Sequence, residues 1–245
     1  MLMSANFISL IVPAYKQEKT IIEDVKNLDL ALSSITSEYE IIVVVDGFLD
    51  QTFEKLKQIK NNKLIPLGYE LNKGKGFAIK LGVEKAKGDV IGFIDAGMDL
   101  SPSEISLMLN MMEWNKADIV IGSKLHPDSI IKYPLSRKIL SWGYRSLIKV
   151  LFRLSVRDTQ VGLKFFRKKT AKEVFPKIIV KAFAFDVEVL AVARMLGYTK
   201  IIEAPIKLTF KQGSVTSTNF WKISFLTLVD TLAVFYRLRI LNYYK

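Results

Sequence analysis

The run EIIVVV at residues 40–45 constrains this chain more than any other segment. Five consecutive β-branched residues leave no polar position to face water, so the segment must be a strand covered on both faces. Strands of that kind belong to parallel sheets that carry helices on either side. Comparable runs recur at residues 7–12 (FISLIV, closed by Pro13), 63–67, 89–94 (DVIGFI) and 117–121 (ADIVI). Helical periods separate them. Residues 20–35 space Ile21, Val25, Leu28, Leu32 and Ile35 along one helix face, and 50–59, 75–87 and 102–113 also read as helices. The alternation predicts an α/β fold, a mostly parallel Rossmann-like sheet flanked by helices. In such sheets ligands bind beyond the carboxyl ends of the strands.

The residues that follow each run therefore carry the functional reading. They are Pro13-Ala14-Tyr15-Lys16-Gln17-Glu18, Asp46-Gly47-Phe48-Leu49-Asp50-Gln51-Thr52, Asn72-Lys73-Gly74-Lys75-Gly76, Asp95-Ala96-Gly97-Met98-Asp99 and Gly122-Ser123-Lys124. Any one of them could be a turn or a helix cap, as Asp50 and Ser101 look to be. Five clusters of carboxylates and glycines on one sheet edge exceed what capping requires. Asp95 and Asp99 suit a hard cation such as Mg²⁺ or Mn²⁺, which prefers carboxylate oxygens and substrate phosphates; Asp99 also reads as a carboxylate at the start of the helix near Pro102. The glycine segment is neither a P-loop nor a dinucleotide fingerprint, since no Gly-Lys-Ser/Thr follows and Ile79 stands at the third glycine position. It reads as backbone approaching a ligand at a helix start or as a plain turn.

Composition removes several chemistries. The 245 residues suit one large α/β domain, alone or with a small appendage. Cysteine is absent and His126 is the only histidine, which excludes disulfides, cysteine nucleophiles and multi-histidine zinc sites. A net charge of +12 points to anionic partners: nucleic acid, lipid headgroups or phosphorylated substrates. Residues 7–12 are too short, and lack the basic flank, for a secretory signal. No stretch reaches the roughly 20 apolar residues of a spanning helix.

Taken together, PAYKQE, VVDGFLDQT, NKGKG, FIDAGMDLSP, IGSKLHPDS, RDTQVGLKFF and FAFDVEVL resemble the family 2 glycosyltransferases of the GT-A fold, and among them the dolichol-phosphate mannosyltransferase and polyprenyl-phosphate glycosyltransferase branch. The resemblance implies a nucleotide-sugar site formed by Pro13, Ala14, Tyr15, Glu18, Val45, Asp46, Gly47, Asn72, Lys73, Gly76, Asp95 and Ala96, with Asp46 near the base or ribose. It makes Asp95 the first carboxylate of an Asp-x-Asp metal motif. Two positions depart from the pattern: Gly97 replaces the usual second carboxylate, and Val45 stands where an aspartate often precedes Asp46. Asp99, at a place often held by a metal-contacting glutamine, could restore the missing charge. The resemblance assigns Lys124 and Arg137 to the acceptor phosphate and Asp158 to orienting acceptor or sugar; Asp158 could otherwise pair with Arg157 or Lys164. Asp186 and Glu188, two apart, cannot share a helix face, so one could face the site while the other faces solvent or caps. His126 sits in a loop beside this region, as a packing residue or a functional one.

The implied reaction is inverting transfer of a hexose from GDP-mannose or UDP-glucose to a polyprenyl or dolichyl phosphate, with Mg²⁺ or Mn²⁺. It would run on the cytoplasmic face of a membrane by a peripheral protein. Rival readings are transfer to a sugar hydroxyl or protein, with Asp158 or Asp186 as base, and a nucleotide-sugar-binding protein impaired at Gly97. Nucleic acid fits least, because no aromatic platform or recognition motif accompanies the charge. Residues 1–215 are expected to form the catalytic domain and 216–245 a C-terminal amphipathic helix. Residues 137–152 place Leu140, Tyr144, Leu147, Ile148 and Leu151 on one face amid Arg137, Lys138, Arg145, Lys149 and Arg153, a pattern that suits a membrane interface or a core-packed helix. The tail around Trp221, Phe225, Leu228, Leu232 and Phe235 reads as an interfacial anchor, a helix docked on the core, or a contact with a second copy or a membrane protein.

Overall fold

The computed structural model describes residues 7–97, 102–131, 136–181, 184–208 and 220–245, with the side chains of 131, 136–142, 208 and 220–223 outside the description. The strands are β1 (Ile8–Ala14), β2 (Tyr39–Asp46), β3 (Leu64–Tyr69), β4 (Val90–Ile94), β5 (Ile119–Ser123), β6 (Ile130–Ile131), β7 (Leu163–Arg167), β8 (Ile201–Pro205) and β9 (Lys207–Leu208). The helices are α1 (Ile21–Ser33), α2 (Thr52–Lys57), α3 (Lys75–Lys85), α4 (Glu104–Trp114), α5 (Ser136–Phe152), α6 (Lys168–Val174), α7 (Phe185–Met195) and α8 (Phe220–Arg239), with a 3-10 turn at Phe175–Lys177. Seven strands form one sheet in the order β3-β2-β1-β4-β7-β5-β8, while β6 and β9 pair separately.

The expected mostly parallel α/β sheet is borne out. β1 pairs in parallel with β2 and β4, β2 with β3, and β5 with β8. β7 is the exception. It lies antiparallel between β4 and β5, with Ile94 opposite Leu163 and Val90 opposite Arg167. Because β7 runs backwards, the residues that enter it, Asp158 to Gly162, arrive at the same edge where β4 and β5 end. An antiparallel insertion thus adds a further loop to the ligand-binding edge.

The alternation of side chains along β2 builds two cores. Ile42 and Val44 join the cluster beneath α3, α6 and α7, whereas Ile41, Val43 and Val45 join the one beneath α1 and α4. This is why the run is apolar at every position: each face of the sheet has its own helical layer. α5 departs from the amphipathic membrane-helix reading. Of its described apolar residues, Tyr144, Ile148, Leu151 and Phe152 pack on the first core while Val150 is exposed, and the Tyr144 hydroxyl meets Thr231 Oγ1 of α8 at 2.7 Å. α8 in turn buries Thr231, Val234 and Leu238 and leaves Phe225, Val229, Leu232 and Tyr236 exposed.

Candidate active site

The ends of β1, β2 and β3 form a braced shelf. Asp46 closes β2 and is buried; its carboxylate accepts the Tyr69 hydroxyl at 2.8 Å, Asn72 Nδ2 at 3.0 Å, and the N–H groups of Lys73 at 2.7 Å and Gly74 at 2.9 Å. With four donors on two oxygens, Asp46 shapes the 72–74 turn. Burial first, then the bond to Asp46, pushes the Tyr69 phenol well above the usual tyrosine range. Glu18 is tied in the same way: its carboxylate accepts the Gln51 N–H at 3.1 Å, and its own N–H donates to Asp50 Oδ2 at 3.1 Å. Asp50 also receives the N–H of Thr52, the first residue of α2, as a capping carboxylate would. Ala14 and Val45 are packed into the core below, so only their backbone is open to a ligand. Pro13 is half-buried and Gly47 buried, while Tyr15, Asn72 and Lys73 are exposed on the rim.

Beside this shelf, four charges alternate in sign. Lys75 Nζ lies 2.7 Å from Asp95 Oδ1 and 3.0 Å from Oδ2, donating to the latter, and 3.7 Å from Asp186 Oδ2. Lys164 Nζ lies 2.5 Å from Asp186 Oδ1 and 2.5 Å from the Val161 carbonyl. Phe93 underlies both ammonium groups, at 5.6 Å and 5.3 Å from its ring centre. Burial works to lower the Lys75 pKa, but the Asp186 and Asp95 charges outweigh it and hold that pKa above the ordinary lysine value. For Lys164 burial wins, with Asp186 only partly offsetting it, and the pKa is lowered. The quartet presents its outer members, Lys75 and Asp95, at the strand edge. Glycine makes this possible at Gly162, where an added Cβ would sit 1.9 Å from Asp95 Oδ2.

Sequence reasoning passed over Lys75 and Lys164 as members of this site. Lys75 opens a helix, where the helix dipole disfavours a cation, and Lys164 interrupts an apolar strand. Each was a sign that a carboxylate waits nearby. Asp186 and Glu188 also differ from expectation, because both are buried and neither faces solvent. Asp186 joins the quartet; Glu188 accepts the N–H groups of Ile179 and Val180 at 3.0 and 2.8 Å.

On the acceptor side, Asp158 is buried and pairs with neither Arg157 nor Lys164. Its carboxylate accepts the Lys124 N–H at 3.0 Å and the Gln160 N–H at 3.2 Å, with Lys124 Nζ at 3.8 Å. It holds the end of β5 against the loop entering β7. His126 Nδ1 accepts the Asp128 N–H at 3.3 Å within its own turn. Arg137 lies in α5, its side chain outside the description. Asp99 and Ser101 fall outside the described residues altogether.

A divalent cation can be tested against these groups. Among the described residues no cluster of three or more His, Asp or Glu side chains gathers. Asp95 Oδ1, however, is buried without a hydrogen-bond donor, although Lys75 stands at ion-pair distance. An Asp95 oxygen with no hydrogen-bond donor fits a hard cation that takes its remaining ligands from phosphate oxygens and water, with the Lys75 ammonium giving way to it.

Comparison with known proteins places this arrangement in context. The model of glycosyl transferase family 2 matches residues 9–175. A dolichyl-phosphate beta-glucosyltransferase of Drosophila melanogaster is 33% identical, the match covering 87% of this chain and 70% of that protein. A UDP-N-acetylglucosamine–dolichyl-phosphate N-acetylglucosaminyltransferase of Methanococcus voltae is 29% identical, with 98% of each chain covered. Among solved structures, glucosyl-3-phosphoglycerate synthase from Mycobacterium tuberculosis, crystallised with Mn²⁺, UDP and phosphoglyceric acid, superposes with a TM-score of 0.70 at 16% identity over 94% of this chain and 78% of that one, a likeness of fold.

Proposed function

This chain belongs to glycosyl transferase family 2, and on that premise we propose that it moves glucose from UDP-glucose to the phosphate of a dolichyl or related polyprenyl lipid, inverting the anomeric centre. The observation that carries this reading is the likeness to a dolichyl-phosphate beta-glucosyltransferase, one-third identical and matched over 70% of its length. A beta product from an alpha-linked donor requires inversion, which a single in-line attack delivers.

The strand-edge geometry supports the same chemistry. The donor would lie across the ends of β1, β2 and β4, with its diphosphate toward Asp95 and Lys75. A divalent cation, Mg²⁺ or Mn²⁺, when bound would neutralise the charge that builds on the departing diphosphate. Asp95 would hold it, and Asp99 is proposed as the second carboxylate in place of Gly97. The Lys75 ammonium adds fixed positive charge from the protein. Lys124 and Arg137 would hold the acceptor phosphate in line, and Asp158 fixes the Lys124 backbone at 3.0 Å. A phosphate acceptor is anionic near neutral pH, so the reaction asks for no strong general base, and Asp186 is already committed to Lys75 and Lys164.

A membrane-surface location belongs to this reading. No helix among the described residues is long and apolar enough to cross a membrane. α8 nevertheless exposes Phe225, Val229, Leu232 and Tyr236 along one stripe, with Arg237 and Arg239 in its last turn.

A second donor is favoured by one observation: the Methanococcus voltae relative matches over nearly its whole length and takes N-acetylglucosamine. Incubating the protein and dolichyl phosphate with radiolabelled UDP-glucose, UDP-N-acetylglucosamine or GDP-mannose decides among them. Label from UDP-glucose should enter the organic phase. Label from UDP-N-acetylglucosamine alone would replace the sugar in this proposal. No lipid-bound label with any donor would overturn the acceptor.

A further inference from the structure

Tyr244 lies beyond α8, yet only 1% of it is exposed. Its hydroxyl donates to Glu188 Oε1 at 2.5 Å. Glu188 is itself fully buried, and its second oxygen accepts the N–H groups of Ile179 and Val180. The next carbonyl along, that of Lys181, accepts the Gly76 N–H at 3.1 Å in the first turn of α3. The approach is so close that a Cβ at Gly74 would meet this carbonyl at 2.5 Å and one at Gly76 would meet the Val180 carbonyl at 2.3 Å. Gly74 also takes φ +91°, a backbone state that side chains resist. Between these two glycines stands Lys75, whose ammonium holds Asp95. Contact is continuous from Tyr244 to the strand-edge carboxylate.

A simple core brace would not be built this way. Two apolar side chains would fill the space without desolvating a carboxylate, which is costly and only partly compensated here by Arg237 at 4.0 Å. Burial pushes the Glu188 carboxyl above its ordinary range even with its donors in place. What the polar pair adds is direction: it fixes two successive backbone N–H groups, and so the carbonyls that follow them, against the glycines around Lys75. Lys80 anchors the start of the same segment through the Pro176 and Ile178 carbonyls at 2.7 and 3.1 Å. Losing the tyrosine bond would therefore loosen the 179–181 end without detaching the segment.

We propose that Tyr244 and Glu188 are positioning residues of the donor site, setting the backbone of 179–181 against Gly74 and Gly76 so that Lys75 and Asp95 keep the spacing a donor diphosphate requires. The inference rests on the reading that the diphosphate binds beside Asp95. Tyr244→Phe removes one hydroxyl from the full chain and keeps the ring. We expect the Kd for UDP and the KM for UDP-glucose to rise roughly tenfold, the scale of one charge-assisted hydrogen bond, with the KM for the lipid phosphate unchanged. Glu188→Gln should give the same split, and the double variant should be no worse than the more impaired single one, because the two act in series. Should Tyr244→Phe fail to fold, Glu188→Gln alone carries the test. Tyr198→Phe serves as the control: it removes a tyrosine–glutamate bond of similar length but exposed to solvent, Tyr198 to Glu173 at 2.6 Å, on the other edge of the sheet, and should leave both constants unchanged. A lowered Tm with wild-type UDP affinity and donor KM would overturn the proposal and reduce the pair to a structural brace. If the wild-type protein binds no UDP at all, the donor-site reading falls first and takes this inference with it.

Discussion

Asp95 owes its role to the two residues that confine it. Lys75 lies within ion-pair distance of both its oxygens, and Gly162 leaves the space its carboxylate occupies, since a Cβ there would approach Asp95 Cγ to 2.2 Å. Gly162→Ala should therefore act as a catalytic variant although it changes no charge. Displacing the carboxylate by about an ångström should lower kcat roughly a hundredfold, while Asp95→Ala should abolish turnover. Steady-state rates with saturating donor, measured alongside Tm, check both; a fully active Gly162→Ala would mean that the carboxylate can work from elsewhere. Gly97 poses the converse question. Its φ of +98° disfavours side chains, but among the described residues a Cβ there meets nothing closer than Gln17 Oε1 at 4.0 Å. Against those residues, strain rather than space opposes a second carboxylate. Gly97→Asp should cost about 1–3 kcal/mol in stability and tighten Mn²⁺ binding in the presence of UDP, which calorimetric titration would register. Unchanged Mn²⁺ affinity would mean that position 97 does not face the cation.

At the scale of elements, α8 divides its faces between two tasks. Thr231, Val234 and Leu238 face the core, while Phe225, Val229, Leu232 and Tyr236 face outward with spacings of three or four residues. Each apolar side chain immersed in lipid is worth about 1.5–3 kcal/mol when fully buried, so even partial insertion of three is decisive for surface binding. Replacing Phe225, Val229 and Leu232 with serine should cut co-sedimentation with anionic vesicles more than tenfold and leave Tm and UDP binding unchanged. A matching loss of Tm would assign the stripe to folding instead. The sequence displayed this helix, and the five strands β1 to β5, because in each a single apolar pattern persists long enough to declare its period. It did not display β7, whose five residues include the buried Lys164, or β8, where Glu203 interrupts another short run. The partners that make those charges tolerable, Asp186 for Lys164 and the N–H groups of Arg157 and Asp158 for Glu203, are far away along the chain. Likewise Asp95 was legible as a candidate from its place after β4 and Asp158 from the family resemblance, but that Lys75 grips the first and Lys124 the second is a product of the sheet's closing order.

For the whole molecule, the GT-A architecture brings the described residues of the proposed site, Asp46, Lys75, Asp95, Lys124 and Asp158 among them, to one edge, and the net charge of +12 gives the molecule a field that favours anions. Net charge alone selects no ligand, since nucleotide, lipid phosphate and nucleic acid would all be attracted. Selection must come from the short-range arrangement at the strand ends, and ligand-linked stability measures that arrangement without requiring turnover. A ligand that binds only the folded chain stabilises it by about 2.7 kcal/mol at a hundred times its Kd, which for a domain of this size raises Tm by roughly 5–10 °C. UDP-glucose with Mn²⁺ should produce a shift of this order, and GDP-mannose a small one. Adding a chelator should remove most of the shift, leaving only what Lys75 and the shelf around Asp46 contribute. If the full shift survived chelation, the fixed ammonium of Lys75 would be neutralising the diphosphate by itself, and Asp95 would be its anchor rather than a metal ligand. If no nucleotide sugar moved Tm while UDP alone did, the sugar subsite would have to be sought away from the edge shared by β4 and β7.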